Sequence, residues 1–176
     1  GRGCLAGPVI AAAVILPENF NNTFLNDSKK LNVSTREKLE IIIKKEAVGF
    51  GLGVVSPKEI DELNILNASF LAMHRAIDKI NCKFELLLVD GNRFNSYRDV
   101  EHKCIVKGDT KFLSIAAASI VAKTWRDKLM IYYSKFYPNY RWDKNKGYGT
   151  KEHREAIKKY GITCLHRRSF LKGLLN

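Results

Sequence analysis

The sequence predicts a mixed α/β sheet flanked by α-helices, with a helical region at its C-terminal end. Three observations carry this. Two apolar, strand-like runs, PVIAAAVIL and VGFGLGVV, come early and in hairpin order. A second pair, FELLLVD and KCIV, leads into a long helical pattern, giving strand–helix alternation. The last quarter holds helical fragments joined by the polar, aromatic segment YPNYRWDKNKGYGT and shows no strand period. No repeat, low-complexity tract or linker divides the 176 residues, so one domain (1–176) is expected, with 138–176 as its C-terminal helical part.

Each element has a local reason. Gly1-Arg2-Gly3 places glycines on both sides of an arginine, a backbone that can approach a ligand closely and donate through its N–H groups. VIAAAVIL is too short to span a bilayer and reads as a buried strand. After a polar loop, Ser34-Thr35-Arg36-Glu37 has the form of a capping box opening a helix. VGFGLGVV alternates glycine with larger residues, which implies a strand closely approached by another backbone. Ser56-Pro57-Lys58-Glu59 is a second capping box, with proline at the first helical position.

Leu63, Leu66, Phe70, Met73, Ile77 and Ile80 then recur at spacings of three and four, one apolar stripe facing a core, with His74 packed at its rim. FELLLVD suits a central strand buried on both faces, with KCIVKGD as its neighbour. In FLSIAAASIVAKTWRDKLM, Ala116, Ala117, Ala118 and Ser119 permit a long helix to pack tightly on the sheet.

The charge balance narrows the function classes. Lys and Arg number 30 against 18 Asp and Glu, a net charge of +12. A polyanionic partner is the first physical reading, because each neutralised phosphate releases condensed counterions; plain solubility is the second. The four cysteines lie far apart without zinc-ligand spacing, which points to reduced thiols and a cytoplasmic setting. No membrane-spanning run is present, and nothing demands more than a monomer.

Three positions could carry chemistry. Asp90 ends an otherwise apolar strand, where open α/β sheets place ligands; an Asp-Gly turn accounts for it equally well. Asp127 shares a helical face with Lys123 and Thr124, and either binds a hard cation or simply pairs with Lys123. Tyr148 stands between glycines amid Lys144, Lys146, Lys151, Arg154, Lys158 and Lys159; it is either a stacking platform for a nucleotide or a surface tyrosine.

Taken in order, GRGCLAGPV, DSKKL, LLLVDGNRF, KGDTKFLSIAAASIVAKTWRD, KGYGTKEH and HRRSF resemble the ribonuclease HII (type 2 ribonuclease H) family along essentially the whole chain. The resemblance implies a ribonuclease H-like fold. It implies cleavage of the RNA strand of RNA–DNA hybrids, and at ribonucleotides embedded in duplex DNA, with Mg²⁺ or Mn²⁺. The products would carry 5′-phosphate and 3′-hydroxyl ends. Asp90 and Asp127 match two of the family's four catalytic carboxylates, both metal ligands. Gly1, Arg2 and Gly3 match the loop that senses the ribose 2′-hydroxyl, Tyr148 the tyrosine that stacks at the RNA–DNA junction, and Lys29 a nearby phosphate contact. In the family an Asp-Glu pair and one small residue precede the glycine–arginine–glycine loop, so the chain is expected to start just past two ligands and, as it stands, to be a poor catalyst. Cys4 stands where the family has proline. Two further classes compete: a non-catalytic nucleic-acid binder, if the acidic pair is natively absent, and a nuclease or integrase of the same fold class acting on DNA.

Overall fold

The computed structural model describes residues 1–21, 25 and 31–174. Its strands form two hydrogen-bonded pairs. β1 (Val9–Ile15) runs antiparallel to β2 (Gly49–Val55), with Val9 opposite Val55 and Ile15 opposite Gly49. β3 (Leu86–Asp90) runs parallel to β4 (Glu101–Ile105), with Asp90 opposite Ile105. The mixed α/β expectation therefore holds, with both strand directions present.

The helices pack around these pairs. α1 (Val33–Glu46) lies against α4 (Leu113–Ser134), and Leu39 and Ile43 of α1 close a core with Ala116, Ala117, Ile120 and Val121 of α4. Glu40, nearly buried, clips the two helices together by accepting from Lys44 of α1 at 2.5 Å and from Lys128 of α4 at 2.7 Å. α2 (Pro57–Leu63) and α3 (Ile65–Ile77) cover β1 and β2 through Ile60, Ala68 and Ala72. The glycine alternation in β2 has the expected cause. A Cβ at Gly53 would lie 1.8 Å from the Ala72 carbonyl oxygen, and one at Gly51 2.1 Å from that of Ala76, so α3 rests directly on the strand backbone.

The Ser56 capping box forms as expected: Ser56 Oγ accepts from the Glu59 N–H, and Glu59 accepts from the Ser56 N–H at 2.9 Å. Three local expectations are corrected. α1 is capped by Asn32, whose side chain accepts from Thr35 N at 2.9 Å, and not by Ser34. The apolar stripe is not one helix, because Asn64 (φ 68°) ends α2 and caps α3 by accepting from Leu66 and Asn67. Leu63 and Leu66 are exposed there, whereas Phe70 and Ile77 of the stripe are buried as expected, alongside Ala68, Ala72 and Ala76. β3 is not buried on both faces: Leu86 is exposed, because among the described residues the strand has a ladder partner only in β4 and a cavity of about 810 Å³ separates it from β1.

At the C-terminal end, α5 (Trp142–Asn145) and α6 (Lys151–Tyr160) pack on α4 around Met130, Tyr140, Trp142 and Ile157. The same cluster takes in Leu5 and Ala6, so the N-terminal loop and the C-terminal helices share one core. Among the described residues no helix is long and apolar enough to cross a membrane.

Candidate active site

The parallel pairing of β3 with β4 builds the acidic edge. Because Asp90 faces Ile105, the chain leaving β4 turns back directly beneath the β3 tip through a 3₁₀ turn at Gly108–Thr110. The Gly108 N–H then donates to Asp90 Oδ1 at 2.9 Å. This holds the otherwise exposed Asp90 carboxylate at the mouth of the large cavity, where Gly1 and Arg2 also reach. The turn fixes a second acid beside it. Asp109, the residue after the donor, is buried and lines a neighbouring cavity of about 410 Å³.

Asp127 comes to that second cavity from α4, together with Gly1, Lys123, Arg126 and Tyr148. Its two oxygens accept from Lys123 Nζ at 2.8 and 2.7 Å, and Arg36 lies 3.8 Å away. The i,i+4 pairing foreseen on this helix face is thus real. Asp90 and Asp127 do not share one cavity; Gly1 lines both and joins them. Among the described residues no three acids, histidines or cysteines come together as a metal cluster. The donor chemistry nonetheless suits a hard divalent cation, since Mg²⁺ is commonly held by one or two carboxylates while water and substrate phosphate fill its other positions.

The loop at Gly1–Gly3 is fastened from below. Arg126 is buried and donates through Nε to Pro8 O (3.0 Å), Nη1 to Lys146 O (2.8 Å) and Nη2 to Ala6 O (2.9 Å). Arg167, also buried, donates to the carbonyls of Gly1, Arg2, Gly7 and Pro8. The two glycines of the loop differ. A Cβ at Gly1 would lie 2.2 Å from Arg126 Nε, whereas a Cβ at Gly3 would meet nothing within 4 Å. No described residue explains the small residue at Gly3, which leaves its surface open to a close external approach.

Tyr148 is brought to the same place. An antiparallel bridge joins it to Cys4, and the Arg126 guanidinium lies 6.0 Å from its ring centroid. Burial and then the neighbouring Cys4 thiol push the phenol above its ordinary pKa, so it is neutral at physiological pH. The ring is still 41% exposed, enough to offer a face.

Its backbone is set by a buried histidine pair. Tyr148 O accepts from His153 Nδ1 at 2.8 Å, which leaves His153 Nε2 to accept from Trp142 Nε1 at 3.0 Å. His166 Nδ1 accepts from Thr163 N at 2.9 Å, so its Nε2 carries the proton directed at His153 Nε2, 3.3 Å away. Both rings are therefore neutral. Burial lowers the His153 pKa, and burial with the neighbouring His153 lowers that of His166 to about 4.

Of the residues expected from sequence, Gly1, Arg2, Gly3, Asp90, Asp127 and Tyr148 lie around this pair of cavities or on the loop between them. Lys29 lies outside the described residues. Two participants were missed. Asp109 had a signal, being the acid of the KGD turn that directly follows β4. Arg167 had none, since its loop partners are about 160 positions away in sequence.

The architecture and its acidic edge define a ribonuclease H-like nuclease class. The ribonuclease H2 of Pyrococcus horikoshii superposes with a TM-score of 0.78 at 25% identity, covering 99% of this chain and 93% of that one. Bst-RNase HIII, solved with Mn²⁺, superposes with a TM-score of 0.80 at 18% identity, covering 99% of this chain and 66% of its own. The family model for ribonuclease HII matches residues 1–172. The ribonucleases HII of Christiangramia forsetii and Bacteroides thetaiotaomicron are each 59% identical over 170 residues. These alignments cover 97% of this chain and 86% and 85% of the two relatives. The chain belongs to the ribonuclease HII family.

Proposed function

We propose that this protein cuts the RNA strand of RNA–DNA hybrids, and duplex DNA at single embedded ribonucleotides, leaving 5′-phosphate and 3′-hydroxyl ends. One observation carries the reading: the Gly1–Gly3 loop bridges two cavities, one holding Asp90 and the other Asp109, Asp127 and Tyr148. A ribose-reading loop and phosphate-side acids would thus meet one nucleotide. The 2′-hydroxyl is the group that distinguishes RNA from DNA at a given site.

Asp90 and Asp109 would hold Mg²⁺ or Mn²⁺ from the strand edge, and Asp127 from α4 across the second cavity. A divalent cation bound there supplies a polarised phosphate and a readily ionised water. The chain's residues do the rest. Gly108 N–H fixes one oxygen of Asp90 and so aims the other. Lys123 and Arg36 neutralise Asp127 until substrate and cation compete for it. Arg2 N–H and Gly3 N–H face the sugar, and Tyr148 stacks on the following deoxynucleotide. The +12 net charge supplies sequence-independent attraction to the duplex. The protein would act as a cytoplasmic monomer in removing ribonucleotides from DNA.

A substrate panel tests this in the full-length protein with Mn²⁺ and with Mg²⁺. Hybrid and single-ribonucleotide duplexes should be cut and all-DNA duplex left intact. Comparable cutting of all-DNA duplex would place the protein among DNA nucleases, and binding without cleavage would make it a binder.

A further inference from the structure

We propose that Arg167 is a positioning residue for ribose discrimination: its buried guanidinium turns the carbonyls of Gly1 and Arg2 inward and thereby aims the next two N–H groups at the substrate. This rests on the reading that the Gly1–Gly3 loop meets the ribose.

The side chain of Arg167 has no exposed surface, so it acts through the loop backbone it holds and not by meeting substrate itself. A buried guanidinium must place its five N–H donors. Arg167 gives four of them to the loop: Nη2 to Gly1 O at 2.8 Å and Pro8 O at 3.2 Å, Nη1 to Arg2 O at 2.8 Å, and Nε to Gly7 O at 2.9 Å. Its own N–H donates to Leu5 O at 2.9 Å, and the Ala6–His166 bridge continues the pairing.

Peptide planarity converts this into direction. In a trans peptide the C=O of one residue and the N–H of the next point opposite ways. Drawing Gly1 O toward Arg167 turns Arg2 N–H outward, and drawing Arg2 O in does the same for Gly3 N–H. No described residue accepts from either N–H. Burial pushes the Arg167 pKa down to about 10, so the group is still charged at neutral pH and its bonds are charge-assisted. A lysine keeps the charge but lacks the planar fork needed to hold two adjacent carbonyls at fixed angles.

The test measures duplex affinity by fluorescence anisotropy in EDTA. It compares a DNA duplex carrying one ribonucleotide with the same duplex in all-DNA form. The wild type should prefer the ribonucleotide duplex by about tenfold, the scale of one or two hydrogen bonds. In Arg167→Lys that preference should fall below about twofold while the all-DNA affinity stays within about twofold of wild type. A wild-type preference retained in Arg167→Lys overturns the clamp alone. A wild type with no preference overturns the loop reading and the clamp with it. Amide exchange on the wild type decides the matter even if the variant does not fold. The Arg2 and Gly3 amides should exchange freely in the unbound protein and be slowed by the ribonucleotide duplex alone. Protection already present without nucleic acid overturns the proposal.

Discussion

The N-terminal loop and the acidic edge of β3 sit side by side yet are built on opposite terms. The loop is tied down: two buried arginines take the carbonyls of Gly1, Arg2, Ala6, Gly7 and Pro8, while at Gly3 an added Cβ would meet nothing within 4 Å. The acidic edge is loosely held. Asp90 is exposed and keeps one bond to Gly108, and Asp127 is shared between cations on two helices. The difference teaches that the part of the site proposed to read sugar shape is preorganised by the fold, whereas the part proposed to handle charge relies on what binds. Rigid donors favour discrimination because they cannot follow a sugar that lacks the hydroxyl. Carboxylates poised near lysine and arginine suit a site whose charge balance changes when cation and phosphate arrive.

Substitutions can break this contrast, beginning with the largest effect. Asp90→Asn keeps an acceptor for Gly108 N–H and should leave thermal stability nearly unchanged. Hybrid cleavage should nonetheless fall by at least about a hundredfold, since losing even the outer partners of metal ligands costs about 10–100-fold. Near-normal turnover would remove Asp90 from the ligand set. Asp109→Asn should come close to that loss and Asp127→Asn should cost less, because Lys123 and Arg36 already compete for Asp127. The reverse ranking in single-turnover rates would shift the metal site onto α4.

Tyr148→Ala should slow cutting at an isolated ribonucleotide by roughly tenfold, within the range of one lost stacking contact. Cutting within continuous hybrid should suffer less, and equal losses on both substrates would reject the stacking role. Gly3→Ala sharpens the contrast further. With nothing within 4 Å of the new methyl, melting temperature should hold, within about 0.5 kcal/mol of stability. Binding of the ribonucleotide duplex should drop severalfold, and unchanged binding would mean that the loop does not touch the sugar.

A separate effect, on stability and not on cleavage, concerns the histidine pair behind Tyr148. His166 titrates near 4 when folded against an ordinary 6.5. The unfolded chain therefore binds more protons between those values, and stability is present above pH 6.5 and is lost as the pH falls toward 4. About 2 kcal/mol should be gone by pH 5, with His153 acting in the same direction. Thermal melts from pH 7 to 5 check this, and a flat profile would show that the rings are not held neutral.

Much of the scaffold was legible in the sequence because its signals are local. Glycine alternation announced the contact of α3 on β2, and Ser56 with Glu59 announced the start of α2. Local signals also misled where two compete. Asn32 caps α1 two residues ahead of Ser34 by accepting from the Thr35 N–H, and Asn64 interrupted a stripe whose spacing alone suggests continuity. Asp90, Asp127, Tyr148 and the glycine–arginine–glycine loop stood out by residue type and by family resemblance. Asp109 and Arg167 did not, because their roles arise from pairing: parallel β3–β4 register brings Gly108 under Asp90, and the C-terminal segment meets the N-terminal loop only in the folded chain.

The central claim is that the ribose-reading loop and the acids address neighbouring atoms of one nucleotide. Mapping the cut at single-nucleotide resolution tests it most directly, in a long DNA duplex containing one ribonucleotide. A single break at a phosphodiester bonded to that ribonucleotide is the predicted result. Breaks displaced by several nucleotides, or scattered through the flanking DNA, would contradict it.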